Sequence, residues 1–188
     1  MSIKKKIPLL IAIIVIALMT LTTIFIDNRS SSLIETKTER EIEEICNHSA
    51  ETISAIIEKE KLGVKIFSEK NVVINLLKTN KDSSNIDDLN KQKQNMNLTL
   101  QNYIKENKGL EHIFLVDTNG NIIADSDKDS IGKNLNDRSY NKPSLEGKAS
   151  VSEVMMSKVT KNPIVVFTNT VKSNGEILGY VGTAVYGS

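Results

Sequence analysis

At 188 residues, with 39% hydrophobic and 25% charged side chains, the chain has room for one globular domain plus a short appendage. Its net charge of +1 hides an asymmetry: without Lys4, Lys5 and Lys6, 21 of the 24 basic residues remain against 23 acidic ones, so no basic surface argues for nucleic acid. The single cysteine, Cys46, excludes an internal disulfide and lacks the partners of a metal site or a Cys/His nucleophile, and it reads as a small buried hydrophobe.

Residues 1–6 form a basic N-terminus, and residues 7–26 carry no charge. At about 1.5 Å per residue, a helix of about 20 residues crosses a hydrocarbon core of about 30 Å, so 7–26 is expected to be a transmembrane helix. Lys4 to Lys6 precede it while Asp27 and Arg29 follow, which places the N-terminus in the cytoplasm and residues 27–188 outside. A cleaved signal peptide is the rival. Its apolar region is limited to about 7–15 residues and ends in a small-residue exit, which is missing after Ile26.

Residues 28–67 have a helical pattern: Ser30 to Ser32 offer capping oxygens, and Ile34, Ile42, Ile45, Ile53, Ile56 and Ile57 recur near steps of three and four. The charges, such as Glu39, Arg40, Glu43 and Glu44, solvate the other face. The apolar stripe is expected to dock on the downstream domain at one height and to form a homodimer seam at another. Gly63, about 1 kcal/mol worse than alanine in a helix, is the expected place for a bend. Val72 to Leu77 is a short apolar piece, and 79–85 reads as a loop. Residues 86–107 are again helical, with Leu89, Met96, Leu100, Tyr103 and Ile104 on one face and Gly109 as the stop.

The period then changes from 3.6 to 2. Two apolar runs, 110–116 and 121–125, flank Asp117-Thr118-Asn119-Gly120, a strong hairpin signal. Residues 149–156, 164–171 and 177–185 supply three more strands. The expected fold is α+β: a five-stranded antiparallel sheet over 110–185 with helices on one face.

Asp117-Thr-Asn119-Gly-Asn121 and Asp125-Ser-Asp127-Lys-Asp129 begin like calcium loops. Ile122 and Ser130 stand where such a loop needs glycine, and Lys128 and Asn136 where it needs glutamate, so solvated turns are expected and no metal. His48 and His112 lie far apart in sequence, and neither a phosphate loop nor a nucleophile elbow is present. His112 reads as a core or surface histidine. Neither catalysis nor a cofactor is expected.

The run Asp137-Arg138-Ser139-Tyr140, followed by Gly147-Lys148, Val151-Ser152 and Thr160-Lys161-Asn162-Pro163, resembles the core of the Cache family. These are PAS-like extracellular sensor modules of bacterial chemoreceptors, and the likeness is to the N-terminal portion of the double-Cache type. The resemblance covers roughly 28–187 and implies a long N-terminal helix packed on a five-stranded PAS-like sheet. It also implies a small-molecule site in which Arg138 forks onto a carboxylate and Tyr140 walls the pocket, joined by Lys158 and Phe167 from the facing strands. The bland alternative for Arg138 is a loop ion pair with Asp137 or Asp129.

Amino-acid-sensing Cache modules hold the carboxylate with Arg-x-Trp-Tyr and the amine with an Asp on the last strand. Here Tyr140 and Asn141 replace the two aromatics, and Ala184 stands in place of the Asp. The expected ligand is therefore an organic anion or a neutral polar metabolite rather than an amino acid, unless Asp125, Asp137 or Glu153 supplies the missing acid. The function implied is ligand sensing for a methyl-accepting chemotaxis protein in the bacterial cell membrane, as the front portion of a longer receptor. The alternatives are the sensor portion of a histidine kinase or diguanylate cyclase, and a self-standing membrane-anchored interaction protein.

Overall fold

The computed structural model describes residues 3–82 and 86–187, with side chains described for 11–26, 37–82 and 86–187. The chain divides into two compact units, Met1–Ser54 and Ala55–Ser188. A single helix, α1 (Ile3–Ser68), contributes to both and continues through Gly63 without ending there.

The first unit contains helix α1 alone, so nothing within it covers an apolar side chain. Ile42, Ile45 and Ile53 are all more than half exposed. Cys46 is exposed as well, which corrects its reading as a buried residue: a lone helix has no second layer to bury it. Among the described residues no helix is long and apolar enough to cross a membrane. The expected span 7–26 lies partly outside those with described side chains, as do the predicted caps at Ser30 to Ser32 and Ile34.

In the second unit the end of α1 is followed by α2 (Asn71–Asp82) and α3 (Ile86–Glu106). The apolar piece Val72 to Leu77 is helical because Val73, Leu76 and Leu77 share one face and are buried together, and this helix takes in the first half of the predicted loop 79–85. Residues 83–85 of that loop lie outside the described ones. In α3, Asp87 and Asp88 open the helix and Lys105 closes it, matching the helix dipole, and Met96 and Leu100 are buried. Phe67 of α1 meets Tyr103 of α3 with ring centroids 5.5 Å apart and planes at 58°. The predicted docking face of α1 is thus formed by Ile57, Val64 and Phe67.

The strands are β1 (Leu110–Asp117), β2 (Ile122–Asp125), β3 (Ser150–Val151), β4 (Met155–Met156), β5 (Pro163–Ser173) and β6 (Glu176–Tyr186), with a short helix α4 (Asn141–Leu145) before β3. All pairings are antiparallel in the order β2-β1-β6-β5-β3, and β4 also pairs with β5. The predicted single strand 149–156 is two strands. Val151 and Met155 are four positions apart, whereas their partners Phe167 and Ile164 are three apart, so one residue is extra and the ladder breaks. Ser152 bridges the break: its N–H donates to Val166 O at 2.8 Å, and its hydroxyl oxygen accepts from Val166 N at 2.8 Å.

The turns form where the sequence places them. Asn174 and Gly175 take φ of 52° and 82°, the left-handed pair that a two-residue hairpin requires. In the first hairpin Asp117 Oδ1 accepts from the backbone N–H groups of Asn119 and Asn121 at 2.9 and 2.8 Å, which makes the calcium-like run a capped turn.

The sheet has a core on each face. Ile113, Leu115, Phe167, Val171, Leu178 and Val181 pack against α1, α2 and α3. On the opposite face Phe114, Val116, Ile164, Val166, Tyr180 and Ala184 are covered by the segment joining β2 to β3, through Leu135 and Tyr140.

Candidate ligand cavity

Hydrogen bonds within the covering segment fix its position. Leu135 N donates to Gly120 O at 2.8 Å, Asn141 Nδ2 to Asn136 Oδ1 at 2.9 Å, and Tyr180 Oη to Asn141 Oδ1 at 2.9 Å. The Ser144 hydroxyl lies 2.7 Å from Tyr140 O and 2.6 Å from Thr168 Oγ1, tying the start of α4 to β5. Buried hydroxyls and amides paired in this way hold the roof in place.

Between roof and sheet lies a cavity of about 270 Å³ whose walls include His112, Phe114, Lys133, Arg138, Tyr140 and Lys158. Sites for drug-sized molecules begin near 300 Å³, so this space suits a small metabolite. Three cations line it, and among the described residues no carboxylate does.

The structure thus brings Arg138, Tyr140 and Lys158 together and leaves Phe167 out. Adjacent strand residues point to opposite faces, so when Val166 lines the cavity Phe167 must face the helices. Arg138 is half-buried and forms no ion pair with Asp137 or Asp129; its Nη1 lies 3.6 Å from Met155 Sδ, and its buried Nε has no partner. Asp137 instead accepts from Lys158 Nζ at 2.7 Å on the exposed rim, and that bond holds its carboxyl below the usual range. Tyr140 is 4% exposed, and burial pushes its phenol up to about 12, so at neutral pH it is a protonated hydrogen-bond donor.

His112 and Lys133 also line the cavity, and the sequence reading did not include them. The His112 ring stands edge-on to Phe114 at 5.1 Å and 88°, and its buried Nδ1 has no partner. Burial lowers its pKa against the opposing pull of Glu111 and Asp127, so the imidazole is neutral at pH 7. Strand alternation was the signal for it, since His112 shares a face with Phe114 and Val116.

Ala184 sits on the cavity face of β6, fully buried between His112 of β1 and Val166 of β5. None of the three alternative acids lines the cavity. Asp137 is held by Lys158, and Glu153 is exposed. Asp125, opposite Phe114 in β2, is fully buried, with Oδ1 accepting from Asp127 N at 2.8 Å and Oδ2 unpartnered. Burial raises its pKa to about 8, so it is a neutral acid at pH 7.

Residues 68–183 match the family described as Single cache domain 3. The chain belongs to the single-Cache family. The Cache match takes in α2, α3 and the sheet almost to its last residues, and with them every cavity residue named above. The Cache likeness drawn from Arg138, Tyr140 and their neighbours therefore holds, in the single-domain branch.

Solved sensor domains share this fold. The sensor domain of the V. cholerae histidine kinase DctB superimposes with a TM-score of 0.61 at 22% identity, over 71% of this chain and 50% of that one. The ligand-binding domain of the Pseudomonas aeruginosa PAO1 amino-acid chemoreceptor PctC, in complex with GABA, gives 0.55 at 16%, over 80% and 62%. The E. coli DcuS sensor domain gives 0.52 at 14%, over 68% and 86%. The chain therefore spans half the length of the DctB domain and less than two thirds of the PctC domain. No curated protein matches the chain.

Proposed function

We propose that the cavity is the sensing site of a membrane receptor and that its ligand is a small organic anion. The observation that carries this reading is the cavity's charge: Lys133, Arg138 and Lys158 line it, Lys158 being paired with Asp137 on the rim, and among the described residues no carboxylate does. Arg138 lines the cavity without a carboxylate paired to its guanidinium, and a ligand carboxylate would supply a charge-assisted, forked partner. Tyr140 adds a second donor. An α-amino acid would bring an ammonium group into a cavity that no acid lines among the described residues, and an unpaired buried charge is expensive.

In this reading residues 7–26 anchor the chain with Lys4 to Lys6 in the cytoplasm, and the sensor unit lies outside. The exposed stripe at Ile42, Ile45 and Ile53 is covered by the same stripe of a second copy. Ligand held against β1 and β5 shifts α1 and so the anchor, and the output is chemotactic signalling. The chain binds and does not catalyse. A histidine-kinase output is the second reading, since the sensor fold is shared with DctB.

The test is a thermal-shift screen of the full chain in detergent against propionate, succinate, L-alanine, GABA and putrescine. A saturating ligand stabilises by RT ln(1 + [L]/Kd), about 2.7 kcal/mol at a hundredfold excess over Kd, and raises Tm by several degrees. A carboxylate without an amine is expected to give that rise. Stabilisation by L-alanine or GABA with none from propionate or succinate overturns the anion reading.

A further inference from the structure

The segment that covers the cavity is tied down at its start by a carboxyl group that the sensing site does not use. Asp125, the last residue of β2, is fully buried opposite Phe114. Its Oδ1 accepts from Asp127 N at 2.8 Å, whereas its Oδ2 has no partner. Asp127 in turn accepts from Asp129 N at 3.2 Å and from the Ser130 hydroxyl at 2.9 Å, which shapes the turn Lys128–Ser130. From there Gly132 N donates to Ile122 O at 2.8 Å, and Ile122 N to Lys133 O at 2.9 Å. The residues held in this way include Ser130, Lys133 and Leu135, which line the cavity. We propose that Asp125 is a proton-controlled latch: when protonated it keeps residues 126–135 closed against β2, and loss of its proton releases them. This goes beyond the choice of ligand and does not depend on it.

The surroundings of Asp125 set the direction of the switch. The turn presents the like-charged Asp127, and the covering segment presents Lys133 and the protonated phenol of Tyr140. Helix α3 contributes the neutral Asn97, whose Oδ1 accepts from Asp125 N at 3.1 Å, and β1 contributes Phe114. A buried carboxylate needs a paired cation or several donors. Among the described residues no cation forms an ion pair with Asp125, so burial outweighs the pull of Lys133 and raises its pKa to about 8. In the released segment the carboxyl meets water, and its pKa returns toward the ordinary 3.8. The closed form is therefore fully favoured below about pH 4 and loses ground as pH rises to about 8, by up to about tenfold per pH unit, with no further loss above. His112 has a lowered pKa and is neutral through the upper part of this window. The opening is local because β2 is an edge strand, so its end can detach while β1, β6 and β5 stay paired.

Hydrogen exchange of the full chain in detergent between pH 5 and 8, corrected for the intrinsic exchange rate at each pH, tests this. In the unmodified protein, amides of residues 126–135 are expected to open more readily than those of β6, with an opening constant that rises about threefold or more per pH unit. In Asp125→Asn, which keeps an oxygen for the Asp127 N–H, the same amides lose that rise. Opening of 126–135 that does not change with pH in the unmodified protein overturns the latch. So does opening equal to that of β6, which means that the molecule unfolds as a whole, or a rise that persists in Asp125→Asn. The first two outcomes are read from the unmodified protein alone, so the inference stands or falls even if the variant does not fold. No ligand is present in these measurements, so their failure leaves the anion reading untouched.

Discussion

Replacing Gly179 by alanine is expected to cost the sensor unit on the order of 4 kcal/mol and to leave it partly unfolded at 37 °C. Gly179 has a φ of 147°, a conformation that side-chain-bearing residues rarely adopt. A Cβ there would overlap the Val116 carbonyl oxygen and reach 3.1 Å from Leu77 Cδ2. Relief by movement is blocked on both sides, because Gly179 pairs with Asp117 of β1 and with Val171 of β5 in the middle of the sheet. The backbone must shift, and the ladders on either flank loosen with it. Gly109 is the control: nothing lies within 4 Å of its would-be Cβ, so Gly109→Ala should change stability by less than about 0.5 kcal/mol. Urea denaturation followed by circular dichroism compares the two. Equal midpoints for both variants contradict the account of β6.

The second large effect is on pH dependence. Asp125 has a folded-state pKa of about 8 against an ordinary 3.8, raised mainly by burial. A raised acid contributes stability that is fully present below the unfolded value and is lost as pH rises through the folded value. Between about pH 4 and 8 the unfolded chain releases this proton while the folded chain holds it, so stability falls across that window. Each unit is worth about 1.4 kcal/mol, which puts the loss at a few kcal/mol by pH 8. Asp125→Asn keeps an oxygen for the Asp127 N–H and has no proton to lose. The variant is expected to match the parent chain near pH 4 and to exceed it by a few kcal/mol at pH 8. His112, with its lowered pKa, acts at the acid end in both proteins and cancels in the comparison. Denaturation curves for the two proteins that stay parallel from pH 5 to 8 contradict the assignment.

These two residues mark where the sequence stops being informative. The turns were legible because Asn119-Gly120 and Asn174-Gly175 carry their own conformational preference, and α3 because its apolar residues recur at helical spacing. Gly179 lies inside a strand, and its φ comes from the approach of Val116, which no local pattern encodes. The division of 149–156 into β3 and β4 depends on one extra residue measured against β5, a register that only the paired strand defines. Arg138 and Tyr140 were singled out by the Cache-like order of residues in the covering segment and Lys158 by the same resemblance, and all three line the cavity. Phe167 was placed one residue off, and in a strand one residue means the opposite face. His112 had the right alternation with Phe114 and Val116, but the face that holds the cavity is chosen by the segment closing over it.

The central claim is that Arg138 holds an anion in the cavity under Tyr140. The direct measurement is calorimetric titration of the full chain in detergent, with whichever plain carboxylate gives the largest thermal shift, for the unmodified protein and for Arg138→Ala. Loss of a charge-assisted, forked contact in a buried site is worth about 3 kcal/mol, so affinity should fall by about a hundredfold or more, with Tm in the absence of ligand nearly unchanged. An Arg138→Ala protein that binds the same acid as tightly as the unmodified chain would contradict the claim and leave Arg138 as a residue of the loop alone.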